Sequence, residues 1–357
     1  MPKSVMQPLR KVLFSGYIGE GPQVENFENK LIPWFGSKHI LTLNSGTSAI
    51  HLALRLANVG PQDEVISTPM TCVATNEPIL SMGARIVWAD IDPDTGNIDP
   101  ENVAKKITKK TKAIIAVHWG GYPCELKMLN NLVSKHGIKL IEDACHAFGA
   151  TYHGKPIGSI SDFTCFSFQA IKGITTVDGG ALVCKSQEDF EKGRLLRWYG
   201  INREENRKDF RCEADILESG YKFHMNDVTA TIGIEQLKYV KANLEKNRMN
   251  AAQYNNAFSA LTNITLLCYK DDRINSYWLY TFKVKKRIEF MEFMRKAKIV
   301  VSQVHARNDK HTMFKDFITH LPGVDEFVSR QMCIPVGWWL SQKDLAYIID
   351  TIINYDS

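Results

Sequence analysis

One lysine stands apart from the other basic residues of this sequence. Lys172 lies in SFQAIKGITTVDGG, residues 167–180, among small and apolar residues and just before paired glycines. A dry, apolar setting disfavours the ammonium form of a lysine, so more of the side chain is the free amine that forms imines with carbonyl groups. Ser167, at the end of a strand-like run, has a hydroxyl suited to a phosphate. The alternative is a surface lysine in a loop.

A carboxylate and a histidine follow a second strand-like run, in LIEDACHAFGA at residues 140–150. Asp143 ends the run, where an aspartate either caps the next helix or pairs with a protonated ring nitrogen. A pyridoxal phosphate cofactor needs such a partner if its ring is to accept electrons. His146 is either a structural histidine or a neighbour of the ring hydroxyl. These residues alone leave both interpretations open.

The turn in LNSGTSAIHLAL, residues 43–54, joins a strand to a helix. Backbone N–H groups and the helix dipole at such a junction bind phosphate, and Gly46 permits close approach. Thr47 and Ser48 follow it. Because serine and threonine are also the usual residues at a helix start, the turn is either a phosphate site or a plain cap.

The strand candidates explain how these residues can meet. Short apolar runs rich in β-branched residues alternate with segments of helical periodicity, which predicts an α/β fold with a mostly parallel sheet and helices on both faces. Ligands of such folds gather at the carboxyl ends of the strands, where Asp143 and Ser167 lie. The candidate strands are residues 39–43, 64–67, 85–90, 113–117, 138–143, 163–168 and 181–184.

After residue 225 the pattern becomes that of one long helix and a smaller α+β unit. We predict a large α/β domain with an N-terminal arm over 1–225, a connecting helix over 226–250 and a small C-terminal domain over 251–357. The strand candidate of the small domain is SYWLYTFKV, and its helix candidates are RIEFMEFMRKAK and SQKDLAYIIDTIINY.

The composition excludes several classes of protein. The 357 residues are 44% hydrophobic and 23% charged, which is typical of a globular chain. The net charge of +5 comes from dispersed residues without a basic arm, so we expect no nucleic-acid partner. No apolar run reaches the ~18 residues of a membrane span and no signal peptide is visible, so we expect a cytoplasmic protein with no membrane partner.

The cysteines indicate neither a metal site nor a disulfide framework. There are eight, none in a CxxC pair, and several stand in apolar runs such as FTCFSF and ALVC. We therefore predict no bound metal and interpret the cysteines as reduced residues of the core.

Several motifs occur together in a fixed order over nearly the whole length. They are SGYIGEGPQVENFE, NSGTSAIHLAL, EDACHAFGA, SFQAIKGITTVDGG, RLLRWYGINRE, GYKFHMNDVTATIGIEQL and VHARNDKHTMF. In these motifs the chain resembles the DegT/StrS family of nucleotide-sugar aminotransferases. The resemblance implies a fold-type I pyridoxal phosphate enzyme, with a seven-stranded sheet and pyridoxal 5'-phosphate as cofactor.

The resemblance also implies roles for the residues introduced above. Lys172 resembles the lysine that bonds to the cofactor and moves protons, Asp143 the partner of the pyridine nitrogen, and His146 the residue beside the phenolic oxygen. Related dehydratases carry a histidine at the lysine position, so Lys172 favours transamination. The family further implies L-glutamate as the amino donor and a homodimer with shared active sites. The residues that match the phosphate site are Gly46, Thr47, Ser48 and Ser167.

Three positions depart from the commonest family pattern, and one of them, Gly173 directly after the lysine, leaves that loop more mobile than a bulky residue would. Cys72 stands where an aromatic residue usually stacks on the cofactor ring, so stacking is weaker or comes from elsewhere, with Trp119 and His118 as candidates. Lys222 stands where an asparagine usually reaches across the dimer to the cofactor phosphate. A lysine there either binds the phosphate as a point charge or is an exposed residue before a helix.

The polar run VHARNDKH, residues 304–311, suits sugar hydroxyls and a diphosphate, although a solvated loop has the same composition. From it we predict substrate contacts by His305, Arg307, Asn308 and Lys310. The expected reaction is transamination of a nucleotide-linked keto-deoxyhexose, either a 4-keto-6-deoxy or a 3-keto sugar, to an aminosugar nucleotide.

Three alternatives remain on the sequence. The same chemistry can serve a cyclitol or aminoglycoside precursor. A non-catalytic sensor of this fold would not need Lys172, Asp143 and Ser167 together. A nicotinamide-dependent oxidoreductase on a Rossmann sheet explains the alternating strands but neither Lys172 nor Asp143.

Overall fold

The computed structural model of the protein describes residues 1–203 and 215–356. Its helices are α1 (Met6–Leu13), α2 (Pro22–Phe35), α3 (Gly46–Leu56), α4 (Val73–Ser81), α5 (Pro100–Lys106), α6 (Leu126–His136), α7 (Gln187–Leu196), α8 (Asp227–Phe258), α9 (Arg287–Lys296), α10 (Pro322–Arg330) and α11 (Gln342–Asp356). Its strands are β1 (Ile40–Leu43), β2 (Glu64–Ser67), β3 (Arg85–Trp88), β4 (Thr111–Val117), β5 (Lys139–Asp143), β6 (Thr151–Tyr152), β7 (Lys155–Pro156), β8 (Phe163–Ser167), β9 (Gly180–Cys184), β10 (Ile264–Leu266), β11 (Arg273–Ile274), β12 (Tyr280–Val284) and β13 (Gln331–Ile334).

A seven-stranded sheet with the order β1-β9-β8-β5-β4-β2-β3 forms the centre of the large unit. Strands β2, β3, β4, β5 and β8 pair in parallel, whereas β9 is antiparallel to both of its neighbours. Each of the seven strands coincides with or overlaps one apolar run of the sequence. The prediction of an α/β fold with a mostly parallel seven-stranded sheet is therefore confirmed.

Helices cover both faces of this sheet, which explains why residues 113–117 of β4 are apolar without interruption. Successive residues of β4 alternate between two hydrophobic cores: Ile115 and Val117 belong to one, and Ile114 and Ala116 to the other. Residues of α3 complete the first core, and residues of α2 and α6 complete the second. A strand that is buried on both faces has no polar side to show.

The long helix α8 links the sheet to a smaller α+β unit. Its start is capped by Asn226, whose side-chain oxygen accepts a 3.0 Å hydrogen bond from the Thr229 amide. The helix continues to Phe258, beyond the predicted end at residue 250. Its last turns place Tyr254 and Phe258 in the core of the small unit, against residues of β12, β13, α9 and α11. The helix thus contributes to both units.

The cysteines differ in part from the prediction that all lie in the core. The seven in the described ranges are free thiols, but Cys268 is exposed, and Cys72 and Cys145 are only partly buried. Cys72 immediately precedes α4 and Cys145 lies in the loop after β5, so both stand outside the strands. Cys212 lies outside the described residues.

The described ranges, 1–203 and 215–356, also bear on membranes and metals. No helix there is both long and apolar enough to cross a membrane. Within the same ranges, no group of three or more histidine, cysteine, aspartate or glutamate residues is arranged to hold a metal ion.

Candidate active site

A cavity of about 320 Å³ lies at the edge of the sheet where β4, β5 and β8 end and where the turn after β1 begins. Parallel strands bring their carboxyl ends to one edge, so residues distant in sequence meet there. The cavity lining includes eight residues that the sequence analysis singled out: Gly46, Thr47, Cys72, Asp143, His146, Ser167, Lys172 and His305.

Asp143 is the last residue of β5 and is 4% exposed. One carboxylate oxygen, Oδ2, accepts a 2.5 Å hydrogen bond from the Thr75 hydroxyl. The other, Oδ1, accepts a 3.1 Å bond from the Cys145 amide. These two donors fix the orientation of a buried carboxylate at the cavity wall, and a buried negative charge attracts a cationic group.

His146 is held in the cavity wall by aromatic neighbours. Its ring stacks on Trp278 at a centroid distance of 3.8 Å and lies 5.6 Å from the ring of His305. Burial, followed by the positive charge of Lys172, lowers the pKa of His146 well below its usual value. The buried Nδ1 atom has no hydrogen-bond partner among the described residues. His146 is therefore a neutral imidazole with one nitrogen available.

Lys172 lies on the loop between β8 and β9 and lines the cavity. The apolar enclosure that the sequence suggested is only partial: Lys172 is half-buried, and its neighbours Ile171 and Gly173 are exposed. Its ammonium nitrogen lies 4.2 Å from the centroid of the Trp278 ring. The loop follows the end of β8 and turns outward, so its apolar residues do not enclose Lys172 in a dry pocket.

The turn between β1 and α3 serves both as a helix cap and as part of the cavity wall. Ser45 caps the helix, since its hydroxyl accepts a 3.0 Å hydrogen bond from the Ser48 amide. Gly46 and Thr47 line the cavity. Ser48, which was grouped with them, instead donates its hydroxyl to Asn44 Oδ1 at 2.6 Å and is 8% exposed. Its hydroxyl is thus committed to the turn.

The proposed substitutes for an aromatic residue at position 72 are placed elsewhere. Trp119 is fully buried and donates its indole N–H to the Thr281 hydroxyl. His118 is also fully buried, with Nε2 at 2.8 Å from Glu142 and Nδ1 accepting from the Cys124 amide. Neither lines the cavity, because the chain turns inward after β4. Cys72 and the aromatic rings of His146 and His305 border the cavity instead.

Most of the polar run at residues 304–311 does not reach the cavity, and only His305 of the four predicted substrate residues lines it. Arg307 forms ion pairs with Asp309 and Asp325. Asn308 is 1% exposed. Its amide bonds the Thr71 carbonyl and Asn76, so it fastens the loop before α4. These contacts correct the expectation that Arg307 and Asn308 are free for a ligand.

Lys310 and Lys222 both have exposed side chains. Neither lines the cavity of its own chain. The Lys222 carbonyl accepts a 3.2 Å hydrogen bond from Asn44 Nδ2, next to the turn after β1, and its backbone bridges to Trp198. The backbone at this position is therefore fixed while the side chain projects from the surface.

Two residues of the site were missed from the sequence. Thr75 bonds Asp143 and also lies 2.7 Å from the Thr71 hydroxyl. A signal for it existed, since threonine in the first turn of a helix after a strand end faces the same edge as the other site residues. Trp278 belongs to SYWLYTFKV, which predicts a strand. It contacts His146 and Lys172, which are far from it in sequence.

The histidines of the cavity predict a pH dependence of folding. Burial and the charge of Lys172 lower the pKa of His305 from 6.5 to about 4. Between these two values the unfolded chain takes up a proton at this side chain that the folded chain does not, so the free energy of unfolding falls as the pH falls. Urea denaturation at several pH values should show a shallower fall in His305→Gln than in wild type.

The exposed His320 provides a matched control for that experiment. His320→Gln should leave the pH dependence as in wild type. Identical pH profiles for wild type and His305→Gln would contradict the assignment of a buried neutral histidine at position 305.

Comparison with known proteins gives a consistent picture. The model of the DegT/DnrJ/EryC1/StrS aminotransferase family matches residues 1–353. UDP-4-amino-4,6-dideoxy-N-acetyl-beta-L-altrosamine transaminase of Campylobacter jejuni subsp. jejuni serotype O:23/36 is 32% identical, with 99% of this chain and 94% of that protein covered. Spore coat polysaccharide biosynthesis protein SpsC of Bacillus subtilis is 31% identical, with 98% and 94% covered.

Solved structures agree with these relatives. The sugar aminotransferase CalS13 from Micromonospora echinospora has a TM-score of 0.96 and 37% identity, with 99% of this chain and 97% of that chain covered. The Streptococcus pneumoniae protein Spr1654, solved in a PLP form, has a TM-score of 0.92 and 29% identity, with 100% and 96% covered.

Proposed function

Because the chain belongs to the DegT/DnrJ/EryC1/StrS aminotransferase family and is therefore a pyridoxal phosphate-dependent aminotransferase, we propose that it aminates a nucleotide-linked keto-deoxyhexose. The observation that carries the proposal is the meeting of Lys172, Asp143 and Ser167 at one cavity. The name of the Campylobacter relative, a transaminase of a UDP-linked amino sugar, supports a nucleotide sugar as the acceptor. We propose L-glutamate as the amino donor.

The cavity fits the cofactor in its size and in its polar groups. Its volume of about 320 Å³ lies within the range of small-molecule sites. A Cβ atom on Gly46 would lie 2.8 Å from Ser167 Cβ and 3.0 Å from Cys145 Sγ, so only glycine lets the turn and Ser167 approach this closely. The unpartnered Nδ1 of His146 is free to meet a polar ring, and the buried Asp143 carboxylate is held in the cavity wall by the Thr75 hydroxyl and the Cys145 amide.

Each residue of the cavity then has a proposed task. Gly46, Thr47 and Ser167 hold the phosphate, Asp143 holds the proton of the ring nitrogen, and His146 lies beside the ring hydroxyl. When bound, pyridoxal phosphate supplies the carbonyl that takes up the amino group and the ring that accepts electrons.

Lys172 is the proton carrier of both half-reactions in this proposal. Its amine removes the α-proton of the amino donor in the first half. In the second half it returns a proton to the sugar carbon that receives the nitrogen. Its lowered pKa makes the neutral His146 beside it a weak base, so this imidazole does not compete with the lysine amine for the proton.

The function is tested with a panel of keto-sugar nucleotides and L-glutamate, with products identified by mass spectrometry and NMR. We expect an aminosugar nucleotide from a 4-keto-6-deoxy or a 3-keto substrate, formed about 10²–10⁴-fold more slowly by Lys172→Ala. The panel should include a keto-cyclitol. Amination of the cyclitol alone would contradict the proposed substrate class, and turnover without formation of an amine would contradict transamination.

We further propose that the protein is a homodimer with shared active sites, in which Lys222 pairs with the cofactor phosphate of the other subunit. The exposed side chain of Lys222 and its exclusion from the cavity of its own chain support this. Lys222→Ala should weaken cofactor retention by about 1.5–3 kcal/mol, the range for hydrogen bonds to charged groups. Equilibrium titration of the cofactor measures this loss.

Mixing two inactive variants separates a shared site from an ordinary surface lysine. Heterodimers of Lys172→Ala and Lys222→Ala chains contain one site with both lysines intact, so they should regain activity if Lys222→Ala alone is severely impaired. Lys38→Ala is the matched control, because Lys38 is also exposed and outside the cavity and has no predicted role in the site. Wild-type cofactor affinity in Lys222→Ala would contradict the proposal.

We propose the cytoplasm as the place of action. Free thiols persist in reducing compartments, and the seven cysteines of the described ranges are all free. This rests on thiol chemistry rather than on any property of the active site.

A further inference from the structure

Trp278 contacts both the reactive lysine and the histidine of the cavity, and neither the family motifs nor the sequence pattern assigned it a role. The Lys172 ammonium nitrogen lies 4.2 Å from the centroid of the Trp278 ring. The His146 ring stacks on the same indole at 3.8 Å, with 19° between the planes. We propose that Trp278 is a positioning residue that holds the free ammonium of Lys172 beside the cavity.

The backbone around Trp278 forms a fixed platform for this contact. The Ser276 hydroxyl donates a 2.7 Å hydrogen bond to the His146 carbonyl, and the Leu279 amide donates a 3.1 Å bond to the Gly120 carbonyl. Residues before and after Trp278 in the sequence therefore bond to the large unit, and these bonds fix the position of the indole. A residue that is anchored on both sides can fix the position of a mobile partner.

The loop that carries Lys172 has few other attachments near the lysine. The indole N–H of Trp278 donates a 2.9 Å hydrogen bond to the carbonyl of Ile171, the residue before Lys172. The Ile171 side chain is 66% exposed, and a Cβ on Gly173 would have no atom within 4 Å. Trp278 thus holds both the backbone of this loop and the end of the lysine side chain.

The contact between Trp278 and Lys172 favours one chemical form of the lysine over the other. The face of an indole attracts a cationic ammonium, whereas it has no such attraction for an amine bonded to another group. In the proposed function Lys172 alternates between a bonded and a free form, so Trp278 favours the free form and keeps it next to the reacting carbon. This inference rests on the proposed function for the identity of the reaction but not for the contact itself.

Chemical replacement of the lysine tests the contact directly. In full-chain Lys172→Ala prepared without cofactor, ethylammonium should occupy the space beside Trp278 and bind saturably in ligand-observed NMR. In Lys172→Ala/Trp278→Leu its affinity should fall by about 2- to 30-fold, the range of a cation–π contact. In Lys172→Ala/Trp278→Phe, which keeps an aromatic face, the affinity should stay closer to that of Lys172→Ala.

Two controls make this result specific. Trp338 is an exposed tryptophan that does not line the cavity, so Lys172→Ala/Trp338→Leu should bind ethylammonium as Lys172→Ala does. Circular dichroism of each variant reports folding. Equal affinity in the Trp278→Leu and parent backgrounds, or the lack of saturable binding in folded Lys172→Ala, would overturn the proposal.

The enzyme with Lys172 intact gives a second, independent readout. Trp278→Leu should lower kcat by about 10- to 100-fold through misplacement of the lysine, with KM for the amino donor nearly unchanged. Trp278→Phe keeps the aromatic face but loses the N–H bond to the Ile171 carbonyl, so it should recover only part of the loss. Equal losses in both variants would show that the aromatic face does not hold the lysine and would overturn the proposal. Because ethylammonium binding needs no substrate, an incorrect substrate class would leave the first experiment unaffected.

Discussion

Lys172→Ala is expected to lose transamination by about 10²–10⁴-fold, the usual contribution of a positioned proton carrier. No other lysine of residues 1–203 and 215–356 lines the cavity, so no second lysine in these ranges can take over its role. In wild type, borohydride reduction of the cofactor-loaded protein followed by peptide mapping should place the label on Lys172. The labelled peptide would then identify the lysine that bonds to the cofactor, and the rate loss in Lys172→Ala would measure the contribution of that lysine to proton transfer.

A matched control distinguishes a special lysine from a general effect of charge. Lys38 is exposed and lies outside the cavity, so Lys38→Ala should keep full turnover and the same labelled peptide. A label on any other lysine, or full turnover in Lys172→Ala, would contradict the assignment. Either outcome would leave the fold and the family membership untouched.

The strands could be predicted because each carries its own burial signal. In β4 both faces of the sheet are covered, so residues 113–117 form a continuous apolar run that needs no knowledge of the partner strands. The direction of a strand has no such signal. The antiparallel placement of β9 depends on how the loop after β8 returns, and the apolar pattern of Gly180–Cys184 is the same in either direction.

The part of the site that lies at strand ends was also predictable. Asp143 and Ser167 end their strands, and the topology of a parallel sheet brings strand ends together without further information. The direction of a side chain within a turn is decided by local hydrogen bonds. Ser48 follows Gly46 and Thr47 in the same turn, yet its hydroxyl donates a hydrogen bond to Asn44 and Ser48 does not line the cavity.

Contacts between distant segments could not be derived from sequence. Trp278 reaches His146 only because the segment before β12 packs against the large unit. Asn308 resembles a ligand-binding residue in a polar run, but it bonds the Thr71 carbonyl in the loop before α4 and the Asn76 side chain within α4. Whether a polar residue binds a ligand or stabilises the fold depends on which unpaired groups lie near it. Those neighbours are set by the tertiary structure.

Asp143→Asn is expected to keep the cofactor but to slow the first half-reaction strongly. Asparagine has nearly the same shape: its oxygen can accept from the Cys145 amide while its NH2 group donates to the Thr75 hydroxyl, which can in turn donate to Thr71, so the cavity wall should be preserved. A neutral side chain cannot hold a proton on the ring nitrogen, so the electron-accepting power of the ring is lost. Single-turnover rates with L-glutamate should fall by about 10²–10³-fold, comparable to the loss of one preorganised electrostatic contact.

The decisive control replaces the missing charge rather than the missing side chain. A pyridoxal phosphate analogue methylated on the ring nitrogen carries a permanent positive charge, so it should restore part of the rate in Asp143→Asn. Asp90→Asn serves as the matched variant, because Asp90 is a buried aspartate that accepts backbone bonds from Gly323 and Val324 and does not line the cavity. It should lower stability without changing the half-reaction. If Asp143→Asn kept the wild-type single-turnover rate, or if Asp90→Asn slowed it equally, the carboxylate of Asp143 would only support the fold, and the proton on the ring nitrogen would need another partner.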